Sequence, residues 1–328
     1  LITISRNRLV YTDNTRIYKL ISTENNTNSP SNFRNIATTP EMLIISTIAL
    51  LVAPALASWN RGDCGVQQIQ PVLDPEDRVV GGAKAVPGSW PWHAQLRVYR
   101  DYCSGVLISD RHVLTAAHCA EHLRPRTLRV HLGAHLRSAP VKGQVFLHVK
   151  EICVHPGYDG KSATYMVPDI AIIELVEKVN MTTTIQPACL PKSGEELPEG
   201  SKLYATGWGD VEGMGRVRSE ELKQTMIESI PIDSCIKRWG MASHPDVFCA
   251  AHDHGSICDG DSGGPAVHKA DGKWTVHGIV STGPRPCNWS ISPQGFVKVS
   301  AYIKDFIEPY MDPSNGPEER RKLCQYFS

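Results

Sequence analysis

The sequence has no surplus of charge, since 34 Lys and Arg balance 34 Asp and Glu. That balance leaves no electrostatic case for nucleic acid or an anionic membrane as a partner, and no nucleic acid is expected. It also lacks any CxxC pair or Cys/His cluster at zinc spacing, so no structural zinc module is expected. Neither an internal repeat nor a low-complexity tract interrupts residues 79–310. Methionine is missing from residues 1–41, a stretch rich in Asn, Thr, Ser and Ile. Finally, no apolar run reaches the roughly 20 residues that span a bilayer. The longest, MLIISTIALLVAPALA, begins at Met42 and contains Ser46, Thr47 and Pro54.

What is present points to an oxidising compartment and a β fold. Ten dispersed cysteines read as a disulfide set. Stretches such as HVLTAA, KLYATGW and WTVHGIVST, separated by Gly, Pro and Asp turns, read as strands of an all-β protein. The Met42 run ends in Ala55-Leu56-Ala57, the pattern of a secretory signal peptide over 42–57. Residues 1–41 are then expected to be untranslated upstream sequence or a disordered leader. A membrane anchor with a short cytoplasmic tail is the competing reading of the same run.

Three segments carry chemistry: TAAHC around His118, DIAIIEL opening at Asp169, and GDSGGP around Ser262. Together they resemble the catalytic segments of the chymotrypsin/trypsin family of serine peptidases, in the His, Asp, Ser order which that family uses. A lone Asp, His or Ser of this kind is usually structural; three in order, each in its own segment, are not. The resemblance covers about residues 64–310 and implies two six-stranded antiparallel β-barrels, about 79–190 and 191–310, with a C-terminal helix near 300–310. A tail follows over 311–328. In this picture His118 is the general base, Asp169 orients it, Ser262 is the nucleophile, and Ser281 supports the aspartate. The N–H groups of Gly260 and Ser262 would form the oxyanion hole. The remaining histidines, His93 and His112 among them, are read as surface or loop residues without a role.

The same resemblance implies a zymogen. Arg78-Val79-Val80-Gly81-Gly82 matches the family's activation junction, so residues 58–78 would be a propeptide cut by a protease of basic specificity. The freed Val79 ammonium would pair with Asp261. CGVQQIQPVL, from Cys64 to Leu73, resembles a tethered propeptide, whose cysteine would bond Cys189. Further implied pairs are Cys103–Cys119, Cys235–Cys249 and Cys258–Cys287. Leu203 and His268 stand where another family bridge would be. Cys153 and Cys324 remain; the expectation is a bridge stapling the tail, the alternative a free Cys324 that joins a second chain.

The pocket reading is less conventional. Ser256 occupies the floor position where trypsin-type members carry Asp, and Gly283 lies on the wall. Gln294 falls where a smaller pocket residue is usual, unless its side chain turns away. Uncharged substrate side chains such as Leu or Met are therefore expected. Thr282 replaces a wall aromatic, and Pro168 directly before Asp169 restricts the backbone there. No cofactor or metal is expected, and LGAHLRSAPVKGQ, which lacks the carboxylates of the trypsin calcium loop, is expected to hold no calcium. Asn180 and Asn288 are candidate glycan sites; Arg61-Gly62-Asp63 is a tripeptide too short to argue from. The chain reads as a secreted serine endopeptidase acting on proteins or peptides and open to protein inhibitors. A non-catalytic peptidase-fold binder is the rival.

Overall fold

The structure is a computed structural model that describes residues 2–5, 8–13, 16–19, 64–73, 82–98, 101–160, 168–212, 217–239, 245–251, 257–282, 287 and 293–326. Residues 1–56 cluster as one unit and 57–328 as another. In the first, β1 (Ile2–Ser5), β2 (Arg8–Asp13) and β3 (Arg16–Lys19) make an antiparallel meander.

The second unit holds two closed antiparallel barrels. A short strand, β4 (Ala83–Lys84), precedes them. The first comprises β5 (His93–Val98), β6 (Asp101–Leu107), β7 (His112–Thr115), β8 (Arg129–Leu132), β9 (Val145–Val154) and β10 (Ala171–Leu175). They close in the order β10-β7-β6-β5-β8-β9. Its strands are short apolar runs bounded by turns: β7 and β10 are buried at every position. Between β7 and β8 lies one helical turn, α1 (Ala117–Ala120).

The second barrel comprises β11 (Lys202–Gly207), β12 (Lys223–Ile230), β13 (Val247–Ala251), β14 (Pro265–Ala270), β15 (Lys273–Thr282) and β16 (Gln294–Lys298). The helix α2 (Ile232–Trp239) links β12 to β13. Pairing of β11 with both β14 and β12 closes the ring, and β4 adds to the outer edge of β12. Leu203 and His268 are direct cross-strand partners, so the expected place of the absent bridge is taken by a buried leucine beside a half-buried histidine.

The barrels meet on an aromatic cluster. Trp90 and Trp92, ahead of β5, pack on Tyr204 of β11 and Trp274 of β15, with ring centroids 5.1–6.3 Å apart. Edge-to-face pairs of this kind add to the burial of their large apolar areas. A continuous helical run then leaves β16: a 3-10 turn (Val299–Tyr302), a π turn (Ile303–Ile307) and α3 (Glu308–Met311). It buries Tyr302, Ile303, Phe306, Ile307 and Tyr310, spaced by three or four residues as one face of a helix requires. His155, just past β9, packs edge-on against Tyr302 and Phe306 at 5.3 and 4.9 Å, which seats this run on the first barrel. The tail adds α4 (Pro317–Lys322).

One expectation needs correction. His93, His112, His131, His135 and His277 are buried, not surface residues. Four of the five lie within strands whose neighbours are inward-facing, and desolvation holds His93 at a pKa of about 3 and His112, His131 and His277 at about 4, all uncharged at neutral pH. Trp274→Ala should lower unfolding free energy by about 3–5 kcal/mol, read by denaturant titration; a loss below about 1 kcal/mol would show that the aromatic cluster does not join the barrels.

Candidate active site

Register places the first two residues of the site. Ala171 of β10 pairs with Thr115 of β7, so Asp169, two residues before Ala171, lies opposite His118, three residues after Thr115. Asp169 has no exposed surface. Its Oδ1 accepts the His118 backbone N–H at 2.8 Å, and its Oδ2 accepts from His118 Nδ1 at 2.8 Å. The hydroxyl of Ser281 donates to the same Oδ2 at 2.6 Å. Three donors thus satisfy a carboxylate that burial would otherwise penalise. They also leave His118 with one orientation and its Nε2 turned away from the aspartate.

The second barrel supplies Ser262. Gly263 N–H donates to Val280 at 2.8 Å and Val280 N–H to Gly264 at 2.9 Å, which sets the turn beside Ser281. Across the cleft, Ser104 N–H of β6 donates to the Ser262 carbonyl at 2.8 Å. Gly263 has φ +77°, and a Cβ there would run into Thr115 Oγ1 and the Ser104 carbonyl. Any side chain would therefore push the Ser262 turn off the segment leading to His118. Ser262 Oγ has no hydrogen bond among the described residues, consistent with the loose serine–histidine contact common before substrate binds.

Gly260, at φ +105°, and Ser262 present N–H groups that no described residue accepts. Between them Asp261 turns its carboxylate inward, where Gly209 N–H donates to Oδ1 at 2.7 Å and Cys258 N–H to Oδ2 at 3.0 Å. Gly207 and Gly209 make the room: a Cβ on either would overlap the Asp261 carboxylate. These two glycines, in GWG, escaped the sequence reading, because only the folded position of Asp261 explains them. Burial pushes the Asp261 pKa up to about 6, partly offset by the two N–H donors and by Arg218. A narrow cleft runs from Gly82 past Thr206 and Lys223 to this carboxylate.

The other expected residues divide sharply. Gln294 is buried in β16, and its amide donates to the carbonyl of Ile257, the residue after Ser256 in the chain, at 2.7 Å. Ser256, Gly283, Asn288, Arg78 and Val79 lie outside the described residues, as do residues 42–57. Asn180 is exposed after β10. The sulfur pairs Cys64–Cys189, Cys103–Cys119, Cys153–Cys324, Cys235–Cys249 and Cys258–Cys287 are all bonded. The one grouping of ligand-type atoms among the described residues, Cys103, His118 and Cys119, contains that disulfide and so offers no thiolate to a metal.

His93 is a further residue that sequence reasoning missed. It sits between Thr206 Oγ1 at 2.7 Å and Ser104 Oγ at 3.2 Å, and so ties β11 to the residue that holds Ser262. A histidine inside the apolar run PWHAQL was the available signal.

Residues 79–307 match the family model described as Trypsin. The chain is 40% identical to chymotrypsin-C of Bos taurus over 252 residues, which span 73% of this chain and 91% of that protein. It is 39% identical to chymotrypsin-C of Rattus norvegicus over 272 residues, 80% of this chain and 96% of that one.

The raised Asp261 pKa has a definite consequence for the uncut chain. An aspartate with a higher pKa folded than unfolded binds protons more tightly in the fold, so its contribution to stability falls as pH rises from about 4 to about 6. In an Arg78→Gln chain, Asp261→Asn should remove that portion of the pH dependence of denaturant unfolding. Identical pH profiles for the two chains would contradict it.

Proposed function

The chain belongs to the trypsin family and is a serine endopeptidase, and from that premise we propose that it is secreted as a zymogen, cut after Arg78, and hydrolyses peptide bonds after uncharged residues. The observation that carries the catalytic reading is the buried Asp169 carboxylate shared by His118 and Ser281. Ser262 Oγ attacks the scissile carbonyl carbon while its proton passes to His118 Nε2. Asp169 holds the imidazole tautomer and stabilises the imidazolium. The carbonyl oxygen takes up negative charge facing the N–H groups of Gly260 and Ser262, where one lost donor costs about 2.7–4 kcal/mol. His118 then gives its proton to the leaving amine, which departs and leaves an ester on Ser262. Water, deprotonated by His118, attacks that ester; the acid leaves and the serine regains its proton.

Activation follows from the charge state of Asp261. Its carboxylate has backbone donors but sits where desolvation disfavours charge. A new ammonium at Val79, reaching in along the cleft from Gly82, supplies the missing cation and steadies the loop holding both oxyanion donors. The strap Cys64–Leu73 supports a retained propeptide. Gly65 N–H donates to Pro187, Trp274 N–H donates to Gly65, and Cys64 is bonded to Cys189. A cut after Arg78 would leave two chains joined by that disulfide.

Specificity rests on Ser256 and Gln294. No carboxylate stands at Ser256 to pair with a substrate Lys or Arg. The Gln294 amide donates to the carbonyl of Ile257, the residue after Ser256 in the chain, rather than turning out to solvent, which supports a pocket narrowed by Gln294. A pocket for Leu, Met or Phe, closed to Trp, is the result, in keeping with the chymotrypsin name of the relatives. Exposed Asn180 is a candidate glycan carrier in a secreted protein.

Protein cleaved at Arg78 should hydrolyse peptide-library members with Leu, Met or Phe before the scissile bond, and Ser262→Ala should abolish this. A profile dominated by Lys or Arg would overturn the pocket reading and keep the mechanism. Failure to label Ser262 with an active-site-directed serine reagent would favour a non-catalytic binder.

A further inference from the structure

The C-terminal tail lies beyond residue 307, where the family match ends. Its helix α4 buries no residue of its own, and apolar contact with the core is confined to Leu323 and Cys324 just after it. The tail is nevertheless pinned at four points on β9 and β10, one of them the Tyr326 hydroxyl, which donates to Glu151 of β9. Cys324 is bonded to Cys153 near the end of β9. Arg320 meets the buried carboxylate of Glu174 in β10 at 3.4 Å. Gln325 N–H donates to the Val154 carbonyl at 2.7 Å, a bridge on the edge of β9 opposite Ala171. The Gln325 side-chain amide can reach further, to the carbonyls of Tyr158 at 2.7 Å and Pro156 at 3.3 Å.

The stretch so held, 154–158, touches both flanks of Asp169 and the end of the His118 helix. His155 N–H donates to the Ile170 carbonyl at 3.1 Å. Gly157 lies against Pro168, with a Cβ position 3.2 Å from Pro168 Cγ. The Tyr158 hydroxyl hydrogen-bonds Glu121, the residue that caps α1. Pro168 leaves its segment few conformations, so a shift in 154–158 passes to Asp169 as a displacement rather than being absorbed by local rotation.

We infer that the tail, through Gln325, is a positioning element for catalysis: it holds Val154–Tyr158 and thereby keeps Asp169 in register with His118. The inference rests on the catalytic roles proposed above. Orientation of the imidazole matters in the transition state and not in substrate binding, so the effect belongs to kcat rather than KM.

The test is Gln325→Pro, which removes both the N–H and the side-chain amide and retains Cys153–Cys324 for folding. A chain ending at Asn315 and carrying Cys153→Ser removes α4 and every anchor that follows it. Both are cleaved after Arg78, and kcat is normalised to the fraction of sites that a serine reagent labels. The expected result is a fall in kcat of about tenfold with KM unchanged within about twofold. Hydrogen exchange at the His118 amide, which Asp169 accepts, should quicken in both variants and reads the geometry without turnover. A parent that does not turn over, with exchange quickened in the variants, would refute the proposed function and leave the positioning intact. Unchanged kcat and unchanged exchange, whatever the loss in Tm, would reduce the tail to a structural clamp and overturn the inference. A rise in KM alone would overturn it too.

Discussion

The site depends on one dry carboxylate. Asp169 is shut off from solvent and accepts from the His118 backbone, the His118 ring and Ser281. A buried anion survives only where donors surround it, and removing one donor strands the charge. Those donors come from both barrels: His118 follows β7 of the first, and Ser281 lies on β15 of the second. The hydrogen-bonding needs of a single side chain thus tie barrel closure in one domain to strand register in the other.

A second carboxylate is handled in the opposite way. Asp169 has its partners built in, whereas Asp261 is given space by Gly207 and Gly209 and two backbone donors, and burial still disfavours its charge. Its neighbours on either side, Gly260 and Ser262, carry the N–H groups proposed to receive the oxyanion. The difference between the satisfied and the under-satisfied carboxylate is what the proposed cleavage-made ammonium would exploit. On the proposed activation, orientation at Asp169 is built in and order at the Asp261 loop waits for the cut.

Much of this was legible in the residues. Three short segments carried the family resemblance, the alternation of apolar strands and turns carried the β class, and both barrels and the C-terminal helix are present. What stayed hidden depends on distant neighbours. Gly207 and Gly209 look like ordinary turn glycines until Asp261 is placed against them. His93 looks like a surface histidine until Thr206, 113 residues away, closes over it. The direction of the Gln294 amide is set by Ile257 and cannot be read from a position in a string. The tail showed a cysteine expected to staple it, while its other anchors, Arg320 on Glu174, Gln325 on Val154 and Tyr326 on Glu151, arise from packing alone.

The most direct measurement is the turnover of Asp169→Asn in the cleaved enzyme, beside Ser281→Ala. An amide at position 169 keeps the shape of the site, but its NH2 replaces one of the two accepting oxygens, so with its oxygen on the His118 backbone N–H it turns a donor toward the imidazole and Ser281. It would leave His118 in the wrong tautomer to take the Ser262 proton. Asp169→Asn should lose about ten-thousandfold in kcat while remaining folded and able to bind substrate, and Ser281→Ala should lose less. Turnover of Asp169→Asn within about tenfold of the parent would contradict this, because the carboxylate on which the site is built would then not be needed.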